Sequence, residues 1–280
     1  MIITRDRVDE LLHTLARLHE LRERPEVVVV DHGSRDDTPA RVRRSFPDVR
    51  VRRLGGDHGA AGRTVGVHEV DASYVAFCDD DSWWAPGAFA RAAGIMDEHP
   101  DLALVAARVL LGEDGRLDPA CAAMAQSPLS GGADIPGRRV LGFVACGAIV
   151  RRSAFLEVGG FHPRLGVGGE EQLVAVDLAA RGWHLVYRED LVAYHHPSPI
   201  RDRRRRSALQ VRNELWFTWL RRDRRAVARV TLRVARNAAR DPAARAGLLQ
   251  ALAGARWVLA GRRPVPPWLE ADLRALDRAR

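Results

Sequence analysis

Residues 74–81, Tyr-Val-Ala-Phe-Cys-Asp-Asp-Asp, join a largely apolar run directly to three acids. A run without polar alternation is typical of a strand that is buried on both faces of a parallel sheet. We therefore expect Asp79, Asp80 and Asp81 at the carboxyl end of such a strand, where open α/β sheets bind their ligands. Adjacent carboxylates repel one another unless a cation offsets their charge, and their oxygens suit Mg²⁺ or Mn²⁺. The stretch predicts a metal site that holds a diphosphate; an acidic turn before the next helix is the alternative.

A second strand of the same kind lies upstream and ends in a second acidic loop. Residues 27–30 are four consecutive valines, and Asp31, Gly33 and Ser34 follow them. A carboxylate at this point can accept hydrogen bonds from a nucleobase or a ribose, and glycine lets the backbone approach a ligand closely. An ordinary turn rich in Asp is the alternative.

Helical patterns separate the predicted strands. Leucines at spacings of three and four over residues 11–21 predict one helix, residues 86–98 predict another, and residues 102–111 predict a further strand. Because strands and helices alternate, we expect an α/β fold with a mainly parallel sheet flanked by helices. Residues 112–139 show a weak pattern rich in Gly, Pro and Ser, which predicts a loop region.

Charge divides the chain near residue 200. The whole chain has a net charge of +8, yet residues 201–280 hold 21 arginines against seven acids, and residues 1–200 are acidic by six charges. We predict one domain over residues 1–200, with a nucleotide-binding half at about 1–111 and an acceptor half at about 112–200. Residues 201–280 are predicted to form a basic helical C-terminal region.

The C-terminal region combines arginines with aromatic and apolar residues at helical spacing. Arg201 and residues 203–206 form a cationic cluster, and Trp216, Phe217 and Leu220 follow it. This pattern is typical of an amphipathic helix on an anionic membrane surface. A helical region that packs its apolar face on the rest of the chain is the alternative. Nucleic-acid binding is a third hypothesis, which the aromatic and apolar spacing disfavours, so we predict no nucleic-acid partner.

Cysteine usage and the apolar stretches bear on the compartment. The three cysteines are widely spaced and form no disulfide or zinc pattern, which favours a reducing compartment. Met1 leads almost directly into charged residues, so we identify no signal peptide. The longest uncharged apolar stretch, residues 140–150, is about half of the roughly 20 residues that a membrane-spanning helix needs. We expect a cytoplasmic protein, either free or attached peripherally to the inner face of the membrane.

Several stretches resemble motifs of family 2 glycosyltransferases and stand in the same order. They are residues 29–38, 54–63, 74–81, 146–152 with 158–161, and the acidic pair Glu170-Glu171. The first resembles the family's nucleotide-binding segment, the third its aspartate motif, and the fourth its acceptor-side strand with a Gly-Gly-Phe turn. Together they cover about residues 2–197.

This resemblance implies a GT-A fold, a Rossmann-like α/β arrangement, and transfer of a sugar with inversion at its anomeric carbon. The implied donor is a nucleoside-diphosphate sugar such as a UDP-, dTDP- or GDP-sugar, and the implied cofactor is Mg²⁺ or Mn²⁺. The residues implied for the nucleotide sugar are Thr4, Arg5, Asp31, Gly33, Ser34, Arg63, Asp79 and Asp80. Those implied for the metal are Asp81, Asp79 and His195, and Gly147 belongs to the implied acceptor-side strand. Trp83 and Trp84, beside the aspartates, are predicted to stack on a sugar ring or the acceptor, with core packing as the alternative. The implied catalytic base is Glu171 or Glu170, with Glu171 preferred by position.

This chain departs from the family pattern at the acidic pair. The pair usually ends in Asp where this chain has Glu171, and Leu173 stands where a further acid often follows. A nucleotide-sugar binding module without turnover is therefore the alternative to an active transferase. Several classes of acceptor are compatible with the motifs. They are lipid-linked molecules and the substrates of envelope-polysaccharide, glycolipid or secondary-metabolite glycosylation.

Overall fold

The computed structural model describes residues 1–131, 134–197 and 203–279. The strands are β1 (Ile2–Thr4), β2 (Val28–Asp31), β3 (Arg50–Arg53), β4 (Tyr74–Ala76), β5 (Cys78–Asp79), β6 (Ser82–Trp84), β7 (Leu102–Leu111), β8 (Arg116–Leu117), β9 (Arg138–Arg139), β10 (Ala148–Arg151) and β11 (His184–His195). The helices are α1 (Val8–His19), α2 (Thr38–Ser45), α3 (Ala61–His68), α4 (Ala88–Glu98), α5 (Pro119–Ala125), α6 (Arg152–Glu157), α7 (Glu170–Ala180), α8 (Arg203–Arg221), α9 (Arg224–Ala238), α10 (Pro242–Ala253), α11 (Ala255–Gly261) and α12 (Pro267–Ala279). The predicted arginine cluster, Arg201 with the side chains of residues 203–206, lies outside the described part of the chain.

The first sheet is parallel throughout, as the apolar runs predict. Its strand order is β3-β2-β1-β5, and Ile2 of β1 pairs with Val29 of β2 on one side and Cys78 of β5 on the other. The valines of β2 are fully buried, because parallel strands of this kind carry covering elements on both faces. The predicted α/β fold is confirmed.

The second sheet is mixed. Its strands run in the order β4-β10-β7-β11-β6; β7 and β11 are parallel, and the other pairs along this order are antiparallel. Two sequence-based expectations are corrected here. The apolar stretch 140–150 predicts a strand over its whole length, but β10 forms only at Ala148–Arg151, because residues 145–147 turn as a short 3-10 helix. The expected loop region 112–139 contains β8, β9 and α5, whose first turn is capped by Asp118 before Pro119.

The decisive stretch 74–81 passes from one sheet to the other at Phe77. The Phe77 amide donates a hydrogen bond of 2.9 Å to the carbonyl of Ala148 in β10, and the next amide, Cys78, donates one of 3.0 Å to Met1. The Phe77 ring packs edge-on against Phe155, with centroids 5.4 Å apart, in the buried core. The three aspartates therefore emerge where the two sheets meet.

The C-terminal helices pack against the rest of the chain. Trp216, Phe217 and Leu220 of α8 are buried, and the Trp216 indole donates a 3.0 Å hydrogen bond to the carbonyl of Ala251 in α10. The expectation that this aromatic face of α8 lies on a membrane is wrong, because other parts of the protein already cover it. No described helix is long and apolar enough to cross a membrane.

One side chain of α8 orders the loop that leads into α7. Asn213 is 1% exposed, and its amide donates hydrogen bonds of 2.9 Å to Leu165 O and 2.7 Å to Gly168 O. Arg221, at the end of α8, forms an ion pair with Asp177 of α7, with Nη2 and Oδ2 2.8 Å apart. The C-terminal region thus supports the start of α7, where the acidic pair stands.

Candidate functional site

Both acidic groups that the sequence singles out line one cleft of 440 Å³. Asp79, Asp80 and Asp81 reach it from the end of β5 and the turn that follows, and Glu170 and Glu171 reach it from the first turn of α7. Arginines stand between these acids, so the cleft combines anionic groups with cations that can contact a phosphate.

Asp80 and Asp81 share the guanidinium of Arg7. Nη1 of Arg7 lies 3.0 Å from Asp80 Oδ1, and Nη2 lies 2.9 Å from Asp81 Oδ2. Burial raises the pKa of Asp80 to about 7, although Arg7 opposes this rise. Burial also disfavours ionisation of Asp81. The hydrogen bond from His195 and the charge of Arg7 outweigh burial and lower the pKa of Asp81 to about 2. Asp81 is therefore an anion at any physiological pH.

Arg63 links the aspartates to the glutamates. It is buried in α3, forms an ion pair with Asp79, and lies close enough to Glu170 and Glu171 for both to raise its pKa against the effect of burial. Glu170 is 2% exposed, and its Oε2 has no hydrogen-bond partner among the described residues. Burial raises the pKa of both glutamates, and the repulsion of Glu171 raises that of Glu170 further. Such a pair holds a proton at pH values where an exposed glutamate has lost it.

The donor atoms around His195 fit a divalent cation. Asp79, Cys146 and His195 each offer one ligand atom within 4.8 Å of the others, and His195 Nε2 lies 3.3 Å from Asp81 Oδ1. The second ring nitrogen of His195 is buried without a hydrogen-bond partner in the described part of the chain. Two carboxylates and an imidazole suit Mn²⁺ or a similar ion. Burial raises the pKa of the Cys146 thiol well above its ordinary value, so Cys146 stays protonated and is a poor ligand for a hard cation.

The predicted nucleotide-binding residues divide into two groups. Thr4 and Arg5 line the cleft, and the Thr4 hydroxyl donates a 2.9 Å hydrogen bond to Asp80 Oδ2. Asp31 is 0% exposed and accepts hydrogen bonds from the backbone and hydroxyl of Ser34, so its carboxylate shapes the turn and does not reach the cleft. Gly33 has φ +73° and faces the backbone of Leu54, a conformation that a side chain would strain.

The predicted acceptor residues lie elsewhere. Trp84 is 1% exposed in the core, where its indole donates a 3.2 Å hydrogen bond to Phe77 O, so the prediction that it contacts the acceptor is wrong. Trp83 points to the opposite side of β6, against His196 and His13, with ring centroids at 4.7 and 5.3 Å. Gly147 is buried against Val109, since a Cβ on it would lie 2.4 Å from Val109 Cγ2. Adjacent strand residues face opposite sides, which is why two neighbouring indoles do not share one pocket.

Four charged or polar residues of the cleft were absent from the predicted site: Arg7, His32, Asp57 and Asp118. His32 Nδ1 lies 3.4 Å from Asp57 Oδ1. Burial lowers the pKa of His32 despite this carboxylate, so the ring is neutral near pH 7, and its Nε2 has no partner among the described residues. A Cβ on Gly62 would lie 1.9 Å from that nitrogen. The signal available in the sequence was a histidine directly after the strand-terminal Asp31.

Comparisons with known proteins agree with this geometry. The sequence profile described as Glycosyl transferase family 2 matches residues 1–159, more than half of the chain. An N-acetylglucosaminyl-diphospho-decaprenol L-rhamnosyltransferase of Mycobacterium tuberculosis is 28% identical over 220 residues, which cover 65% of this chain and 70% of that protein.

Solved glycosyltransferase structures share the fold. The mannosyltransferase PcManGT from Pyrobaculum calidifontis, in complex with GDP-Man and Mn²⁺, matches with a TM-score of 0.56 at 18% identity over 99% of this chain and 84% of its own. S. aureus TarS in complex with UDP-GlcNAc matches with a TM-score of 0.56 at 18% identity over 76% of this chain and 65% of its own.

Replacing Glu170 by Gln tests the buried acidic pair. The raised pKa of Glu170 means that its contribution to stability is complete below about pH 4.5, the ordinary glutamate value, and is lost as the pH rises above it. A neutral amide does not have this dependence. We expect Glu170→Gln to have nearly the wild-type melting temperature at pH 4.5 and a higher one at pH 8, measured by calorimetry. Glu113→Gln, on an exposed turn, is the control; a pH-independent difference for Glu170→Gln would contradict the prediction.

Proposed function

This chain belongs to glycosyl transferase family 2, and we propose that it transfers a sugar from a nucleoside diphosphate to an acceptor hydroxyl, with inversion and with the help of a divalent metal. The observation that carries the proposal is the meeting of the Asp79–Asp81 cluster and the Glu170-Glu171 pair in one cleft, with Arg63 between them. The aspartate cluster suits a metal-bound diphosphate, and the glutamate pair suits an acceptor hydroxyl that must lose a proton.

On the donor side, we assign the nucleotide sugar to the part of the cleft formed by Thr4, Arg5, His32 and the aspartates. Asp81, Asp79 and His195 would hold Mn²⁺ or Mg²⁺, which offsets the charge that grows on the departing diphosphate. Arg7 and Arg63 stand beside the same carboxylates and supply further positive charge for phosphate oxygens. In this proposal, Asp31 acts by shaping the loop that carries His32.

On the acceptor side, we assign the role of general base to Glu171. Its carboxylate takes the proton from the acceptor hydroxyl as that oxygen attacks the anomeric carbon, and the bond between that carbon and the diphosphate oxygen breaks. A base works best when its pKa is near the working pH, and burial raises the pKa of Glu171 in that direction. Glu170 is 2% exposed, and burial together with the charge of Glu171 raises its pKa to about 8, so Glu170 stays protonated beside that base near neutral pH.

The donor proposal covers UDP-, dTDP- and GDP-sugars, and the acceptor proposal includes lipid-linked molecules. The rhamnosyltransferase relative is named for a decaprenol-linked acceptor, and the two solved structures hold GDP-Man and UDP-GlcNAc. These ligands support transfer from a nucleotide sugar, and the nucleotide panel described below identifies the donor class.

We further propose that the protein attaches peripherally to an anionic membrane through α10 and α11. Leu249, Leu252 and Leu259 are among the exposed large apolar residues, and residues 242–263 include four arginines and no acid. Exposed leucines among arginines suit an interface between lipid chains and anionic headgroups. We assign the membrane contact to this surface instead of the aromatic face of α8, which is buried.

The donor site is tested by Asp81→Ala. We expect the melting temperature of the wild type to rise with one of UDP, GDP, dTDP or CDP when Mn²⁺ or Mg²⁺ is present, because a ligand of the folded state stabilises it. The metal-dependent part of the rise should disappear in Asp81→Ala and persist in the control Asp114→Ala, an exposed loop acid. A folded wild type that responds to no combination of nucleotide and metal would refute the donor site.

The base is tested by Glu171→Gln. We expect transfer or donor hydrolysis to fall by about 10²–10⁴-fold, since a positioned general base contributes about that much. Binding of the nucleotide and metal, measured by the same melting shift, should stay as in the wild type. Full activity in Glu171→Gln combined with loss in Glu170→Gln would move the base to Glu170, and an inactive wild type with intact nucleotide binding would favour a binding module.

The membrane surface is tested with lipid vesicles. We expect the wild type to co-sediment with vesicles of phosphatidylcholine and phosphatidylglycerol and not with phosphatidylcholine alone. Replacing Leu249, Leu252 and Leu259 together by Ser should weaken this binding by about tenfold or more, because each leucine contributes about 1.5–3 kcal/mol when fully buried. Leu232→Ser, an exposed leucine of α9, is the control. Unchanged binding of the triple variant would exclude this surface.

A further inference from the structure

A second cavity, of 580 Å³, lies beside the donor cleft. Its walls come from α5, the segment 140–143, the start of α7 and the end of α12. The apolar part of its lining includes Ala123, Met124, Val140, Phe143 and Leu276. We call this cavity the α5–α12 groove.

Glu171 lines both the donor cleft and the α5–α12 groove. In the proposed reaction this carboxylate takes the proton from the attacking hydroxyl, so the hydroxyl must lie within hydrogen-bond reach of it. A molecule in the groove can place an oxygen at Glu171 without entering the donor cleft. The groove therefore has the position that an acceptor requires.

The chemistry of the two cavities differs. The donor cleft is lined by several Asp, Glu and Arg side chains, whereas Glu171 is the one ionisable side chain among the described residues that line the groove. The hydroxyl of Ser127, at the groove, already donates a 2.7 Å hydrogen bond to Arg139 O. Two carboxamides, Gln126 and Gln172, are the other polar side chains of the groove. A hydroxyl finds partners near these side chains and Glu171, while an aliphatic portion gains from burial along the remaining apolar wall.

We propose that the α5–α12 groove binds an aliphatic portion of the acceptor, with the attacking hydroxyl at the end nearest to Glu171. The role of Glu171 in this inference rests on the proposed function, and the groove itself does not. The acceptor class is thus an alcohol borne on or directly beside an aliphatic chain or ring system.

The C-terminal region supplies one wall of this site. Leu276 and Ala279 of α12 line the groove, and an ion pair of 2.6 Å between Arg139 Nη2 and Asp272 Oδ2 fastens α12 to β9. The Arg139 guanidinium also lies 5.9 Å from the ring centroid of Trp268. Binding of the acceptor and docking of α12 are therefore coupled.

Gly142 provides a direct way to fill the groove. A Cβ built on Gly142 meets no atom within 4 Å, so a side chain at this lining position starts into open space. Gly94, on the exposed side of α4, likewise has nothing within 4 Å and is the matched control position. Leu276→Gln is a second groove variant, which makes the wall polar with little change in volume.

The probes are n-hexanol, n-octanol and n-decanol, with glycerol as the polar comparison. Binding is measured on the full chain by displacement of the fluorescent apolar dye N-phenyl-1-naphthylamine. We expect the affinity of the wild type to rise on the order of fourfold per added methylene, the ratio that corresponds to burial of one CH₂. Gly142→Phe and Leu276→Gln should weaken decanol binding tenfold or more, and Gly94→Phe should bind as the wild type does.

The melting shift with nucleotide and metal separates this proposal from the proposed function. Chain-length dependence that both groove variants abolish, with an unchanged nucleotide shift, supports the groove. The proposal is overturned if affinity is independent of chain length, or if Gly142→Phe and Leu276→Gln bind decanol as tightly as the wild type does, even when the donor site binds normally. A wild type without any nucleotide shift refutes the donor site, and the alkanol series then still decides whether the groove binds aliphatic alcohols.

Discussion

Repulsion among five carboxylates is the constraint that the rest of this structure must satisfy. Asp79, Asp80, Asp81, Glu170 and Glu171 line one cleft, and arginines from two different segments offset their charge. Arg7 contacts Asp80 and Asp81, and Arg63 contacts Asp79 and lies near both glutamates. Breaking a buried ion pair typically costs about 3–5 kcal/mol, a large part of a net stability of about 5–15 kcal/mol. The arginines that compensate these buried acids therefore also line the site of this glycosyltransferase.

The acids converge because one stretch of chain serves two sheets. The segment from β4 to β5 pairs first with β10 and, after Phe77, with β1, so the parallel and the mixed sheet meet where the aspartates begin. The glutamates reach the same point from the other direction, at the first turn of α7. The loop before that turn is held by Asn213 of α8, which makes the C-terminal helices part of the support of the site.

Two cavities of opposite character meet at Glu171. The charged cleft suits a nucleoside diphosphate, and the largely apolar groove does not suit one. In the proposed reaction the donor and the acceptor lie on either side of the anomeric carbon that is transferred, and the carboxylate shared by both cavities stands where the two would meet. The proposed acceptor site would give the C-terminal region, through the wall formed by α12, a role beyond packing that its arginine content alone does not indicate.

The sequence by itself determined the α/β fold, the parallel first sheet and the acids at the strand ends, because these are local patterns of apolar runs, turns and charges. Only the tertiary structure decided which side chains meet. Arg7 and Asp81 are 74 residues apart in the chain, and the fold brings their side chains into a direct hydrogen bond. Trp84 enters the core because the pleat turns it inward, and the aromatic face of α8 meets protein instead of lipid. Burial depends on which elements cover a residue, and neighbours in sequence do not specify that cover.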